Sequence, residues 1–204
     1  MNETETSTIE FQEFPKIARL SRECIITEKI DGTNGQIYIT DSGQMLIGSR
    51  SRWITPEQDN HGFARWATEH MEELMTLGPG RHFGEWWGSG IQRGYGLPKG
   101  EKRWSLFNVT RWCLYGVIAQ RIPTADPRIE KYQEHLPLCC SLVPVLYRGM
   151  FATQECDWAL DELRIHGSKA APGFDKPEGI VCFHVAGGFW LKKTIEKDEA
   201  PKSA

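Results

Sequence analysis

Three short runs near the start of the chain, residues 24–30, 35–40 and 44–48, have strand-like apolar patterns. They are split by Asp31-Gly32-Thr33-Asn34 and by Asp41-Ser42-Gly43, both polar turn formers. That spacing predicts an antiparallel meander. The period then changes. Phe63, Trp66, Ala67, His70, Leu74 and Leu77 recur at helical intervals, with Asp59 or Asn60 available as a cap and Gly78-Pro79-Gly80 as a stop. Further strands are expected at residues 81–86 and 106–116. A second helix is expected from a Thr153 cap to Gly167, with Cys156, Ala159, Leu160 and Leu163 on one face. Residues 179–186 and 188–193, joined at Gly187-Gly188, have the pattern of a hairpin. Strands dominate and helices interrupt them. The expected class is α+β with mainly antiparallel sheets, not a strictly alternating parallel fold.

Length adds that one domain suffices, since 204 residues with 40% apolar composition can bury a sizeable core without disulfide staples. No long linker divides the chain, and residues 1–9 and 196–204 have the composition of frayed ends. No apolar run approaches the ~20 residues of a membrane helix. The N-terminus, MNETETSTIE, lacks the basic and apolar regions of a secretory signal. Six cysteines scattered through apolar segments imply no disulfide framework, so a reducing, intracellular (cytoplasmic) setting is expected.

A net charge of −3 argues weakly against a nucleic-acid partner. The balance is uneven, however. Glu3, Glu5, Glu10 and Glu13 have no basic partner nearby, whereas residues 81–111 carry six basic side chains against Glu85 and Glu101. Phe83, Trp86, Trp87, Tyr95, Trp104 and Phe107 lie in the same stretch. Interleaved cations and aromatics suit a phosphate backbone and stacked bases. Equally, they suit a solvated loop beside ordinary core aromatics.

The segment richest in chemistry is Thr27-Glu28-Lys29-Ile30-Asp31-Gly32-Thr33-Asn34. It ends a strand on a lysine and turns at once. A lysine there that points into a cleft, desolvated and near other cations, becomes a neutral amine and hence a nucleophile. An exposed lysine before a hairpin turn is the plainer reading of K-x-D-G taken alone.

Other segments accompany it in order. Lys29-Ile30-Asp31-Gly32-Thr33-Asn34, Ser49-Arg50, Phe83-Gly84-Glu85-Trp86, Leu106-Phe107-Asn108-Val109, Glu178-Gly179-Ile180-Val181 and Trp190-Leu191-Lys192-Lys193 together resemble the motifs of the ATP-dependent RNA ligase family, of the nick-sealing type. That family lies among the covalent nucleotidyltransferases, with DNA ligases and mRNA capping enzymes. The resemblance spans residues 28–193 and implies an adenylyltransferase fold, mainly antiparallel sheets flanked by helices around an ATP cleft. It implies catalytic roles for Lys29, Asp31 and Lys192. It implies nucleotide contacts from Glu28 (adenine edge), Asn34, Arg50, Glu85 (ribose), Phe107 (stacking on the purine) and Lys193, and a metal-holding role for Glu178. Asn34 is the residue that RNA ligases favour where DNA ligases and capping enzymes usually carry arginine.

The implied reaction joins RNA 3′-hydroxyl and 5′-phosphate ends using ATP and Mg²⁺ or Mn²⁺, through a lysine–AMP intermediate and an adenylylated RNA. Attack at the α-phosphate builds negative charge, which Lys192, Lys193 and Arg50 are suited to neutralise. Two departures stand out. The fifth motif reads Lys192-Lys193-Thr194 rather than K-x-K, and Asn108 stands where relatives often carry Asp. The short stretch after Lys193 implies a bare adenylyltransferase domain without a C-terminal nucleic-acid-binding domain, so RNA grip would fall to residues 81–111, to a homodimer or to a helper protein. The alternatives are a DNA ligase, a GTP-using capping-type enzyme, or a nucleotide- and RNA-end-binding module without turnover.

Rival sites are poorer. Residues 88–96 are glycine-rich but match neither phosphate-loop pattern, and read as a flexible loop at the cleft rim. Cys139, Cys140, Cys156 and His166 fit no standard zinc spacing. His82, His135 and His184 read as ordinary core or surface histidines.

Overall fold

The computed structural model describes residues 11–112, 136–196 and 198. The expectations for Cys113, His135, the end segments 1–9, 197 and 199–204, and any strand within 113–116 lie outside these. The described part is α+β, built on two sheets. One has the order β7-β1-β8-β9 and the other β3-β2-β4-β5-β6. The strands are β1 (Glu23–Lys29), β2 (Thr33–Ile39), β3 (Met45–Gly48), β4 (Gly80–Gly88), β5 (Lys102–Leu106), β6 (Cys140–Leu142), β7 (Val145–Met150), β8 (Gly179–His184) and β9 (Phe189–Thr194). The helices are α1 (Phe63–Glu69), α2 (Met71–Met75), α3 (Val109–Trp112) and α4 (Thr153–His166). All strand pairs are antiparallel except β5 with β6.

The predicted meander is corrected. β2 and β3 form the expected hairpin, but β1 pairs with β7 and β8 instead of β2. Its inner five residues are all buried. A strand covered on both faces cannot show the period of two that marks a half-exposed hairpin arm. The chain therefore leaves one sheet and enters the other at Asp31-Gly32, and the cleft opens at that crossing. Gly32 is required there, since a Cβ would fall 2.5 Å from the Trp86 carbonyl oxygen and 2.8 Å from Trp87 Cβ.

Three apolar clusters hold the layers. Ile37, Trp86 and Trp104 of the second sheet pack on Phe63, Ala67 and Leu74. Ile25 and Ile30 meet Trp87, Tyr95 and Val109, joining the two sheets. Ile26, Ile180 and Cys182 pack on Ala159, Leu160 and Leu163 of α4, the apolar face expected from the sequence.

The first predicted helix is broken into α1 and α2 at His70, whose φ of −106° and ψ of 21° leave the helical region. Its apolar stripe nevertheless stays buried across the break. Asp59 caps it from outside, accepting from the N–H groups of Ala64 (2.7 Å) and Arg65 (3.2 Å). The strand expected at 106–116 ends at Leu106. Asn108 Oδ1 then accepts from the Arg111 N–H at 3.0 Å and starts the single turn α3. Strands β6 and β7 were not foreseen. They are short, flanked by Pro137 and Pro144, and only partly buried along their length, so no alternation marks them. No helix among the described residues is long and apolar enough to cross a membrane.

Candidate functional site

A cavity of about 530 Å³ lies where the two sheets part. That volume suits a small ligand of nucleotide size. Lys29, Asp31, Lys192, Glu28, Asn34, Arg50, Glu85 and Phe107 all border it. Glu178 joins them through an ion pair between its Oε2 and the Lys29 Nζ, both side chains largely buried at 24% and 18% exposure for lysine and glutamate. Strand register explains this grouping. Thr27 faces Val181 and Val181 faces Lys192 across β1, β8 and β9, so these side chains share one face with Lys29. Lys29 itself stands opposite Gly179, which leaves its amine room to reach Glu178.

The same register sends Lys193 to the reverse face, opposite Ile180. Its Nζ lies 2.6 Å from Asp157 Oδ1 on α4, and that carboxylate holds the ammonium above its ordinary pKa. The structure does not bring Lys193 to the cavity. Glu28 alternates with Lys29 in the same way. It borders the cavity, but its carboxylate accepts from Ser168 Oγ (2.6 Å), Lys169 N–H (2.7 Å) and Ala170 N–H (2.9 Å). Burial pushes its carboxyl up, and those donors pull it back. The carboxylate expected at the adenine edge is thus fastened to the loop after α4.

The direct partner of Lys29 is a carboxylate, and the cation Lys192 shares its face of the cavity.

Beyond Lys29 the chain turns, and the turn is pinned from both sides. Gly32 N–H donates to Glu85 Oε1 at 3.0 Å, and Asn34 Nδ2 to Glu85 Oε2 at 3.3 Å. Asn34 and Glu85 are direct cross-strand partners. Burial pushes the Glu85 carboxyl up to about 7; Lys29 and the Gly32 N–H oppose this, while Glu178 and Asp31 add to it. Asp31 Oδ2 accepts from Arg93 Nε at 3.0 Å, and the Asp31 N–H donates to the Tyr95 hydroxyl at 2.8 Å.

Sequence reasoning missed Arg93 and Tyr95 as supports of this turn. The glycine-rich stretch was expected at the cleft rim. It instead places Tyr95 in the core, at 2% exposure, against Trp87 and Phe174. Tyr95 sits at φ 52° and ψ 24°, a left-handed conformation that the surrounding packing must enforce. Arg93 also donates to the Lys176 carbonyl at 3.1 Å, tying the Asp31 turn to the segment that carries Glu178. No local pattern announces contacts across so many residues.

The basic and aromatic stretch 81–111 divides as well. Trp86, Trp87, Trp104 and Tyr95 are core. Arg103 pairs with Glu101, Lys102 donates to the His61 carbonyl, and Arg111 to that of Leu77. The plainer reading of that stretch holds for most of it. Phe83 and Arg81 face outward. His82 and His184 are buried and bonded to the carbonyls of Gly78 and Leu20, as core histidines are.

Among the described residues no three His, Cys, Asp or Glu side chains form a metal cage. Glu178 pairs with the amine, and Glu85 borders the same cavity. They fit a hard divalent cation bound in the manner of magnesium, through one or two carboxylates with substrate phosphates completing the shell.

Comparison with known proteins bears on this arrangement. The sequence model of the family described as RNA ligase matches residues 22–194. No curated protein sequence matches the chain. Solved structures of mutant forms of a Naegleria gruberi RNA ligase share the fold. One with ATP and Mn aligns at a TM-score of 0.59 and 17% identity, covering 90% of this chain and 53% of that one. Another with ATP and Mn gives 0.56 and 17%, covering 87% and 51%. A third, with AMP and Mn, gives 0.55 and 19%, covering 85% and 49%. The chain therefore spans about half the length of the solved chains it matches.

Proposed function

The chain belongs to the RNA ligase family, and on that premise we propose that it joins RNA 3′-hydroxyl and 5′-phosphate ends with ATP, through a lysine–AMP intermediate. One observation carries the reading: the Lys29 amine stands on the same cavity face as Lys192, with Glu178 as its hydrogen-bond acceptor.

In the first step Lys29 loses one proton through Glu178 to solvent, which leaves that carboxylate ionised; the lysine Nζ then attacks the α-phosphorus of ATP, and the second proton it sheds on forming the new bond goes to the departing pyrophosphate. An N–P bond forms and the P–O bond to pyrophosphate breaks. Lys192 and Arg50 neutralise the phosphate oxygens as charge builds. Asn34 and the Gly32 N–H hold Glu85, which accepts from a ribose hydroxyl. Phe107, half-buried against the cluster that joins the sheets, offers its ring to the adenine. Glu178, aided by Glu85, would hold a magnesium or manganese ion, which when bound adds positive charge at the phosphates.

In the second step a 5′-phosphate oxygen of RNA attacks the same phosphorus, the N–P bond breaks, and Lys29 recovers a proton. In the third, the RNA 3′-hydroxyl loses its proton, attacks the 5′-phosphorus and expels AMP. Glu28 and Asp31 act by holding the strand end and the turn, through Ser168 and Arg93 respectively. The five described cysteines are free thiols, which suits a reducing cytoplasm where ATP is abundant.

Incubation with α-labelled ATP and magnesium tests the first step. Wild type takes a covalent label and Lys29→Ala takes none; label equal in both removes the assignment. Parallel arms with GTP, and with nicked RNA against nicked DNA, separate an RNA ligase from a capping-type enzyme or a DNA ligase.

A further inference from the structure

The face of β2 and β4 that carries Asn34 and Glu85 does not stop at the nucleotide cavity. Cross-strand pairs follow one another along it: Asn34 with Glu85, Gln36 with Phe83, Tyr38 with Arg81. From Asn34 to Tyr38 is four residues, or ~14 Å of strand. At the far end a second hollow of about 260 Å³ opens, bordered by Gln36, Ser49, Arg50, Arg52, Trp53 and Arg81 among others. Arg50 borders both cavities.

The chemistry of this hollow is one-sided. Three arginines border it and no carboxylate does. Among the described residues none of the three forms an ion pair. The Arg81 guanidinium lies 4.3 Å from the Tyr38 ring centroid and 5.5 Å from that of Trp53. A guanidinium stacked in this way keeps its N–H edge for oxygen acceptors. Trp53 is 48% exposed and Phe83 47%, so two aromatic faces stand along the track. A protein of net charge −3 that gathers arginines with no ion-pair partner among the described residues beside open indole and phenyl rings has made a local surface for phosphate and base together.

We propose that this track grips the RNA strand leading away from the reacting end, with Arg52 and Arg81 on backbone phosphates and Trp53 under a base. The inference rests on the RNA ligase reading and extends it. Its length matches about four stacked nucleotides at ~3.4 Å each. Arg50, standing at the junction, links the two sites.

Fluorescence anisotropy with a fluorescein-labelled, 5′-phosphorylated RNA oligonucleotide of unstructured sequence tests it, with AMP labelling measured on the same preparations. The double variant Arg52→Ala/Arg81→Ala is expected to bind at least ~10-fold more weakly and to lose ~1.4 from the slope of log K against log salt, for two single-strand phosphates. Trp53→Ala is expected to lose ~10-fold, and Trp53→Phe to keep most of the affinity because it keeps a stacking face. Labelling by ATP stays near the wild-type level in all three, since none of these residues borders the nucleotide cavity. Unchanged affinity and salt slope in the double variant overturn the proposal, as does a parallel loss of RNA binding and AMP labelling. A wild type that takes no label overturns the ligase reading instead, and leaves the RNA measurement to judge the track alone.

Discussion

Two faces of the same strands treat their charges differently. Toward the cavity, β1 and β9 present Lys29 and Lys192, and of these Lys29 has an ionic partner among the described residues, a cavity-side carboxylate. One residue away in each case stand Glu28, which borders the cavity but turns its carboxylate to the loop after α4, and Lys193 on the reverse face. Glu28 is closed off by a hydroxyl and two backbone N–H groups, and Lys193 by Asp157. Each sequence doublet, Glu28-Lys29 and Lys192-Lys193, is thus divided by the pleat into a charge at the cavity and a charge already bound by the protein's own groups. The cavity face holds charge that a ligand can engage. Glu28 and Lys193 have already committed theirs.

The division is broken most severely by removing a cavity charge. Lys192→Ala should lower the rate of AMP labelling ~10²–10³-fold, the cost of deleting one preorganised group from a charged transition state. Thermal stability should hardly change, because the side chain is exposed. Single-turnover labelling and a melting curve on the same sample check both halves. Normal labelling would place the phosphates away from this face.

Deleting a committed charge should give the opposite signature. Glu28→Ala leaves the Ser168 hydroxyl and two N–H groups without an acceptor in a buried place. The expected loss is about 2–4 kcal/mol, or roughly 5–15 °C in melting temperature. Where the variant remains folded, labelling should fall far less than in Lys192→Ala. A stable but inactive Glu28→Ala would instead return this carboxylate to the nucleotide.

How much of this was legible beforehand follows the same physics. Lys29, Asn34, Glu85 and Lys192 could be picked from the ordered segments that resemble the RNA ligase motifs, and the fold gathers all four at one cavity. The α4 stripe was legible because one half-buried helix face repeats at a fixed period. What failed was pairing. The burial of β1 on both faces hid which sheet it joins, and β6 and β7 were too short and too open to signal. The doublet Lys192-Lys193 cannot be resolved without the β8–β9 register. Arg93 and Tyr95 meet Asp31 across more than sixty residues, a contact fixed by tertiary packing alone.

Glu85 lies on the cavity side yet carries a structural cost, which sharpens the contrast. Its carboxyl titrates at about 7 in the fold, against 4.5 for the free group. Between those values the folded protein holds a proton that the unfolded chain has lost, so stability falls as pH rises through this window. The full shift corresponds to on the order of 3 kcal/mol above pH ~7. Glu85→Gln removes that fall but weakens the bonds from Gly32 and Asn34. A net gain of about 1–2 kcal/mol at pH ~8, shrinking toward pH ~4.5, is expected from urea titrations at both pH values. Labelling should drop, since the ribose loses an anionic acceptor. A variant less stable than wild type at pH ~8 would show that the ionised carboxylate is a net support.

The smallest effect belongs to the nearest neighbour of the largest. Lys193→Ala removes a surface ion pair with Asp157, which is itself 57% exposed. Such pairs contribute ~0–1 kcal/mol. Melting should shift by no more than ~4 °C, and labelling should stay within about two-fold of wild type, because the ammonium lies across the sheet from the cavity. Adjacent lysines would then differ by two orders of magnitude or more in what their loss does to catalysis. If instead the two deletions cost the same, β9 would have to present both side chains to the phosphates in the working enzyme. The strand would then need a bulge or a break in its pleat at this point, since a pleated strand cannot send consecutive residues to one face.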